Sequence, residues 1–84
     1  MLENVILALH EIYVPVKLRK EFDAERLQRR AEEYIDKGEH SPIQVRRDEA
    51  KQRYVLVKGL HRLEALKALG EERIEAVVVQ ARKH

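Results

Sequence analysis

The residues best suited to chemistry lie in the segment 57–62, where an apolar run meets a glycine and then a helix-forming stretch. A strand, a glycine and a helix start present free backbone N–H groups to an anion. Lys58, His61 and Arg62 crowd this end, although a cation at a helix N-terminus is unfavourable by roughly 0.3–1 kcal/mol. A bound phosphate would reverse the sign of that effect, and Gly59 would let it approach the backbone. The segment predicts a phosphate site.

The same residues allow a purely structural interpretation. Gly59 could serve only as a turn glycine, with Lys58 and Arg62 in solvent and His61 packed against a sheet. Basic residues are common at helix starts, so the spacing alone leaves both interpretations open.

A second basic group lies on the preceding helix-forming stretch. Arg26 and Arg30 are four residues apart and share a helix face, with Arg29 beside them, and Arg19 precedes the helix. These arginines would either face the same anion or form surface ion pairs with Glu33, as the i,i+3 and i,i+4 spacings allow.

Other kinds of site are excluded or weakly supported. The chain contains no cysteine, which excludes disulfides, thiolate metal sites and cysteine-based catalysis. Its four histidines are scattered, so we expect no metal site. Glu11, near the end of the first apolar run, is a candidate catalytic carboxylate, and a simple exposed side chain is the competing interpretation.

Length and composition restrict the class of protein. We expect the 84 residues to form a single domain spanning 1–84. Seventeen Lys and Arg against fifteen Asp and Glu give a net charge of +2, so bulk charge does not indicate a nucleic-acid binder. The longest early apolar run is too short to cross a membrane or act as a signal peptide, so we expect a cytoplasmic protein.

The pattern of apolar and breaking residues predicts an α+β fold in the order βαββαβ, with two helices covering a small mixed sheet. Asp23 is the expected N-cap of the first helix and Gly38 its C-terminal stop. The first strand is expected to begin near Val5, with Ile12 and Val14 extending it up to a proline. The remaining predicted elements are strands at 42–47, 54–57 and 74–79 and a helix at 60–69.

The chain resembles the ParB N-terminal-domain/sulfiredoxin superfamily from about residue 5 to residue 79. The resemblance is carried, in order, by four stretches: RKEFD at 19–23, PIQVR at 42–46, YVLVKGLHRLEA at 54–65, and ALG at 68–70 leading into IEA at 74–76. It implies a compact domain that binds a nucleoside di- or triphosphate.

The resemblance also implies roles for particular residues. Phosphates in this family lie on the helix that begins at the segment matching Gly59, Leu60, His61 and Arg62. Arg19 matches the arginine of the first ParB motif, and Arg26 falls near a basic phosphate contact on the first helix. Lys58 would assist, and His61 would hydrogen-bond a phosphate oxygen or the attacking group. In the serine kinases of the superfamily a glutamate after the first strand acts as a base, which matches Glu11.

Departures from the family narrow the expected activity. Leu60 stands where sulfiredoxins have their reactive cysteine, so that reductase chemistry is excluded. The Leu60-His61 pair is closer to the ATP-using sulfiredoxin and serine-kinase branches than to CTP-dependent ParB proteins. We therefore expect ATP or ADP as the ligand, and slow hydrolysis or transfer of the terminal phosphoryl group as the activity. Binding of CTP and a requirement for Mg²⁺ are left as open alternatives.

The alternatives belong to other classes of protein. One is a non-enzymatic regulatory module of the partition-protein type that responds to CTP or DNA and acts through a protein partner or a homodimer. Direct DNA reading is not expected, since the resemblance implies that partition proteins use a separate helix-turn-helix domain for it. Another is an interaction protein that no longer binds nucleotide.

Overall fold

The computed structural model describes residues 3–37 and 41–79. These ranges contain five strands, three α-helices and one 3₁₀ turn. The strands are β1 Glu3–Ala8, β2 Ile12–Tyr13, β3 Ile43–Asp48, β4 Arg53–Lys58 and β5 Arg73–Val78, and the helices are α1 Val16–Arg19, α2 Ala24–Lys37 and α3 Leu60–Ala68.

The five strands form one mixed sheet in the order β1-β5-β3-β4-β2. The β1–β5 and β3–β4 pairs are antiparallel, whereas β5–β3 and β4–β2 are parallel. Helix α2 packs against α3, which in turn contacts β3. The predicted α+β class with a mixed sheet and two covering helices is therefore confirmed.

The predicted extension of the first strand is wrong. β1 ends at Ala8, a 3₁₀ turn occupies Leu9–Glu11, and β2 joins the opposite edge of the sheet. A flat five-stranded sheet would hold its edge strands about 19 Å apart. The chain from Ala8 to Ile12 reaches at most about 14 Å. The sheet must therefore curl, and its two edges approach each other.

The two helices before β3 begin with different hydrogen bonds. Asp23 caps α2 as predicted, since its Oδ1 accepts a hydrogen bond from the Glu25 N–H at 2.9 Å. Gly38, the expected stop, lies outside the described residues, and α2 runs to Lys37. Helix α1 is not among the elements predicted from the sequence; it is a single turn in which the Pro15 carbonyl accepts from the Leu18 and Arg19 N–H groups at 3.0 and 3.2 Å.

One apolar core lies between the sheet and the helices. Strands β3 and β4 and helix α3 supply its largest fully buried side chains, which include Ile43, Val45, Leu56 and Leu63. Burial of this kind contributes about 25 cal/mol for each Å² of apolar surface removed from water. This core holds the C-terminal end of β4 and the start of α3 in a fixed relation, which is the region that the sequence selected for chemistry.

Candidate functional site: the cleft at the start of α3

Gly59 joins β4 to α3 in a conformation that other residues rarely adopt. Its φ of 112° and ψ of 29° lie in the left-handed region. A Cβ at this position would lie 2.6 Å from Ile43 Cγ2, which belongs to the buried core. Both the backbone conformation and the close approach to β3 therefore require glycine here.

The first turn of α3 leaves its amides open. No side chain caps the helix, and no acidic residue lies in the first turn. The first backbone bond within the helix joins Leu63 N–H to the Gly59 carbonyl at 2.9 Å. The N–H groups of Leu60, His61 and Arg62 come before that bond and are free of intrahelical acceptors. This end of the helix is suited to an anion.

A cleft of about 430 Å³ opens in front of these amides. Proteins bind small molecules in cavities of roughly 300–1,000 Å³, so this volume is suited to a nucleotide-sized ligand. Four cationic side chains line the cleft, against one carboxylate from Glu21. The cations are Arg26 and Arg30 from α2, Lys58 from β4 and Arg62 from α3.

Most of this positive charge is not neutralised by the protein. Within residues 3–37 and 41–79, no carboxylate lies within ion-pair distance of Arg26, Lys58 or Arg62. Arg30 pairs with Glu33 at 3.3 Å, an ion pair that the sequence predicted as the alternative use of this arginine.

The charge of Arg62 is affected by its neighbours on α2. The pKa of Arg62 is lowered, first by burial and then by repulsion from Arg30, while Glu33 acts in the opposite direction. A lowered pKa means that the positive charge of Arg62 is less favourable here than in water. A bound anion would relieve that penalty.

His61 is buried at the base of the cleft, with 8% of its surface exposed. Its Nε2 accepts a hydrogen bond from the Asp23 N–H at 2.9 Å, and the Phe22 ring stacks on the imidazole at a centroid distance of 5.7 Å. An accepting Nε2 carries no proton, so the neutral ring has its proton on Nδ1. Burial, Arg26 and Arg30 lower the pKa of His61, opposed by Asp23.

The structure brings together six of the eight residues selected from the sequence. All six line the cleft, and Leu60 forms part of its buried wall. They are Arg26, Lys58, Gly59, Leu60, His61 and Arg62. The role expected for His61 changes: because Nε2 is occupied by the Asp23 N–H, a hydrogen bond to phosphate has to come from Nδ1.

Arg19 lies beside the cleft and does not line it. It borders a neighbouring pocket together with Phe22 and Glu64, and Leu60 is the wall common to both pockets. The single turn of α1 sets this position, since it ends at Arg19 before the chain enters α2.

Glu11 is far from the cleft. Ile12, the next residue, pairs with Tyr54 near the start of β4. A strand rises about 3.3 Å per residue, so Tyr54 and Gly59 are roughly 16 Å apart along the chain. The structure therefore does not bring the exposed Glu11 side chain to the cleft, and its catalytic role stays a prediction.

Sequence reasoning missed three polar residues of the cleft. Glu21 reaches it from the turn before α2, Ser41 from the segment before β3, and Gln44 from β3. Their positions depend on how β3 and the α1–α2 turn pack, for which the sequence carries no local pattern. Arg30 also lines the cleft, and its spacing four residues after Arg26 had indicated a shared face.

Both interpretations of the 57–62 segment hold in part. Gly59 is required by the fold and His61 is packed, as the structural interpretation expected. Lys58 is exposed although it lines the cleft, which also agrees with that interpretation, whereas Arg62 is half-buried and departs from it.

Two further features are absent from the described ranges. No three His, Asp or Glu side chains there converge into a set that could hold a metal ion. None of the described helices is long and apolar enough to cross a membrane.

Comparison with known proteins places the chain in a family. It belongs to the ParB N-terminal domain family, whose profile matches residues 3–84. No curated protein matches the chain significantly.

Solved structures share the fold at low sequence identity. Sulfiredoxin from Arabidopsis thaliana has a TM-score of 0.79 and 24% identity, covering 94% of this chain and 86% of the sulfiredoxin. C-terminally truncated ParB from Caulobacter crescentus, complexed with CTP-γ-S, has a TM-score of 0.78 and 22% identity, covering 96% of this chain. A free serine kinase variant in complex with ADP has a TM-score of 0.80 and 20% identity, covering 92% of this chain.

The chain spans 46% of that ParB and 31% of that kinase. At these identities the likeness shows the fold alone.

Proposed function

We propose that this domain binds a nucleotide in the cleft, with the phosphates at the N-terminus of α3. The amides of Gly59 to Arg62 and the side chains of Arg62, Arg26 and Lys58 hold the phosphates, and Arg30 adds to the positive field. The observation that carries this proposal is the meeting of open helix amides with cations that have no carboxylate partner in the described ranges.

The structural relatives support the same class of ligand. The ParB is complexed with CTP-γ-S and the serine kinase with ADP, and both share this fold. Phosphates are the chemical feature common to these two ligands. Because the likeness extends only to the fold, the residues of the cleft carry the assignment for this chain.

The finer proposal is that ATP or ADP is the preferred ligand and that the terminal phosphoryl group is slowly hydrolysed or transferred. Such a reaction would depend on positioning and charge stabilisation, which four cations and open amides can supply. Glu21 is the carboxylate nearest to this role, since it lines the cleft and Glu11 does not. Mg²⁺ is held mainly by phosphates and water in such sites, so the absence of a protein metal cluster in the described ranges does not decide its use.

The second candidate is a regulatory module that binds CTP and acts through a protein partner or a homodimer. It is favoured by membership of the ParB N-terminal domain family. It is also favoured by the similarity, over 96% of this chain, to the ParB that was solved with CTP-γ-S. In this case nucleotide binding would change the interaction with the partner, with no turnover required. Affinity for DNA, if present, would fall steeply with salt.

Calorimetric titration with ADP, ATP and CTP tests the proposal. We expect the protein to bind at least one of these nucleotides. Inorganic pyrophosphate should compete with that nucleotide, because the phosphates carry most of the recognition. The Arg62→Ala variant should bind about 10- to 100-fold more weakly, the cost of one or two charge-assisted hydrogen bonds. Its circular dichroism spectrum should match that of the parent protein.

Arg73→Ala is the matched control, because it removes the same charge from an exposed position on β5 outside the cleft. Its affinity should equal that of the parent protein. Equal affinity of the Arg62→Ala variant and the control would contradict the phosphate site. A clear preference for CTP without turnover would select the regulatory candidate over the ATP-dependent one.

A further inference from the structure

We propose that the His61 side chain is a positioning residue: it accepts a hydrogen bond from the Asp23 N–H and so holds the start of α2 where Arg26 and Arg30 face the cleft. The effect on ligand affinity rests on the proposed nucleotide function. The link itself, the contact between His61 Nε2 and the Asp23 N–H, is a property of the protein alone.

The link acts at the residue that begins α2. Asp23 uses all three of its polar backbone and side-chain groups at this point. Its N–H donates to His61, its Oδ1 accepts from the Glu25 N–H at 2.9 Å, and its carbonyl accepts from the Leu27 N–H at 3.0 Å. The His61 ring therefore fastens the N-cap of α2 to the first turn of α3.

The two α2 arginines that line the cleft depend on the position of this N-cap. Arg26 and Arg30 follow Asp23 by three and seven residues, which places them one turn apart on the same face of α2. That face lines the cleft, and both charges act on His61. A shift of the α2 start would move the two arginines relative to the amides of α3.

The link requires a neutral imidazole. A protonated ring would present a second N–H to the Asp23 N–H, and neither could accept. Arg26 and Arg30 on α2 act on His61, and Lys58 on β4 and Arg62 on α3 line the same cleft. Asp23 and Glu21 are the acidic groups on the same side. The Phe22 ring covers the imidazole, and only 8% of His61 remains exposed.

Positioning and direct phosphate contact use different atoms of the ring. The link uses Nε2 as an acceptor, whereas a bond to phosphate would use Nδ1–H as a donor. The amide of glutamine places its polar atoms near the position of Nε2, and that of asparagine near the position of Nδ1. The two substitutions therefore separate the two roles.

The first experiment is a calorimetric titration of His61→Gln and His61→Asn with ADP. We expect the Gln variant to bind ADP about three- to tenfold more tightly than the Asn variant, the worth of one retained hydrogen bond. Binding by the Asn variant that is equal to or tighter than binding by the Gln variant would overturn the positioning role.

The pH profile is the second readout, because the two roles predict opposite signs. If the link is needed, protonation of His61 weakens ADP binding, and the affinity ratio of the parent protein to His61→Gln falls as the pH drops toward the pKa of His61, which is lowered from the ordinary 6.5. If the ring contacts phosphate as a cation, that ratio rises. The ratio removes the titration of the ligand phosphate itself, which occurs near pH 6. A rising ratio would overturn the proposal.

The third readout needs no ligand and separates the two proposals. In the unliganded protein, the ¹⁵N shift of His61 Nε2 should be that of an unprotonated ring nitrogen at pH 7.5. The Asp23 amide should then shift and lose protection from hydrogen exchange as His61 titrates. An Asp23 amide that ignores this titration would overturn the link, whatever the ligand affinities are. An intact link in a protein that binds no ADP, ATP or CTP would instead refute the proposed function.

Discussion

The two ends of strand β4 carry similar residues in opposite circumstances. At its start, Arg53 lies 3.9 Å from the Tyr13 ring centroid, and its Nε lies 3.5 Å from Asp48 Oδ2 in an ion pair without a hydrogen bond. Its neighbour Arg47 stacks over the Tyr54 ring at 5.1 Å. At the other end, four cations line a cleft in which Glu21 is the lining carboxylate.

The difference separates arginines that serve the fold from those available to a ligand. A cation over an aromatic face or beside a carboxylate is stabilised within the protein. A cation among other cations at a helix N-terminus is destabilised until an anion arrives. The backbone differs in a parallel way: Gln52 before β4 has a φ of 53° with a side chain in place, whereas Gly59 after it has a φ of 112° and no room for a Cβ.

The largest expected effect on stability comes from adding a side chain at Gly59, directly after β4. Gly59→Ala should lower the free energy of unfolding by about 3 kcal/mol, since a Cβ overpacks Ile43 and the backbone is strained. Denaturant unfolding measures this loss. The control is Gly70→Ala, where φ is also positive but nothing lies within 4 Å of the Cβ, so only about 1 kcal/mol should be lost. Equal losses would show that the contact with Ile43 is unimportant.

Replacing one arginine by alanine at each end of β4 should lower ADP affinity in one variant and stability in the other. Arg26→Ala should weaken ADP binding about tenfold, one charge-assisted contact, and leave stability unchanged or slightly higher because repulsion is relieved. Arg53→Ala should leave ADP affinity unchanged and cost about 1 kcal/mol of stability through the lost contact with Tyr13. Calorimetry and urea unfolding on both variants test the pair. The comparison fails if both variants lose stability and neither loses affinity.

The pH dependence of stability should come in part from the cleft. The pKa of His61 is lowered in the folded protein, so between that pKa and 6.5 the unfolded chain binds more protons. The contribution of neutral His61 to the free energy of unfolding should therefore be fully present above pH 6.5 and decrease as the pH falls toward the pKa of His61 in the folded protein. This slope, measured by urea unfolding, should be absent in His61→Gln. The same slope in both proteins would assign it to other groups.

The smallest effect is expected at the turn before β4. Gln52→Gly removes the strain of a left-handed residue, worth about 1 kcal/mol, but gives the unfolded chain more freedom by a similar amount. The net change in unfolding free energy should be within about 0.5 kcal/mol. A loss comparable to that of Gly59→Ala would mean that the Gln52 side chain makes a stabilising contact.

The sequence predicted those parts of the fold that local pattern determines. Asp23 was identified as a cap because an Asx side chain bonds the amide two residues on, which is a local geometry. The break after Ala8 could not be found, because the apolar run continues through Ile12 and Val14 without a glycine or proline. β2 exists only through its pairing with β4, which is a tertiary contact.

The site shows the same division. The 57–62 segment gave the amides and two of the cations, since strand, glycine and helix follow one another in the chain. Arg19 and Glu11 were matched through family motifs, and the packing of α1 and the pairing of β2 with the start of β4 hold them outside the cleft. The link between His61 and Asp23 crosses 38 residues and uses a backbone donor, so no side-chain pattern announces it.

The place of β5 in the sheet has a consequence for synthesis. β5 follows the other strands in the chain, yet it lies between β1 and β3 and provides the hydrogen bonds that attach β1 to the rest. Ribosomes add about 5–20 residues per second, so β1 waits several seconds for its neighbour. During that interval the nascent chain exposes the apolar side of β1, and a chaperone holding it would act before residue 73 leaves the exit tunnel.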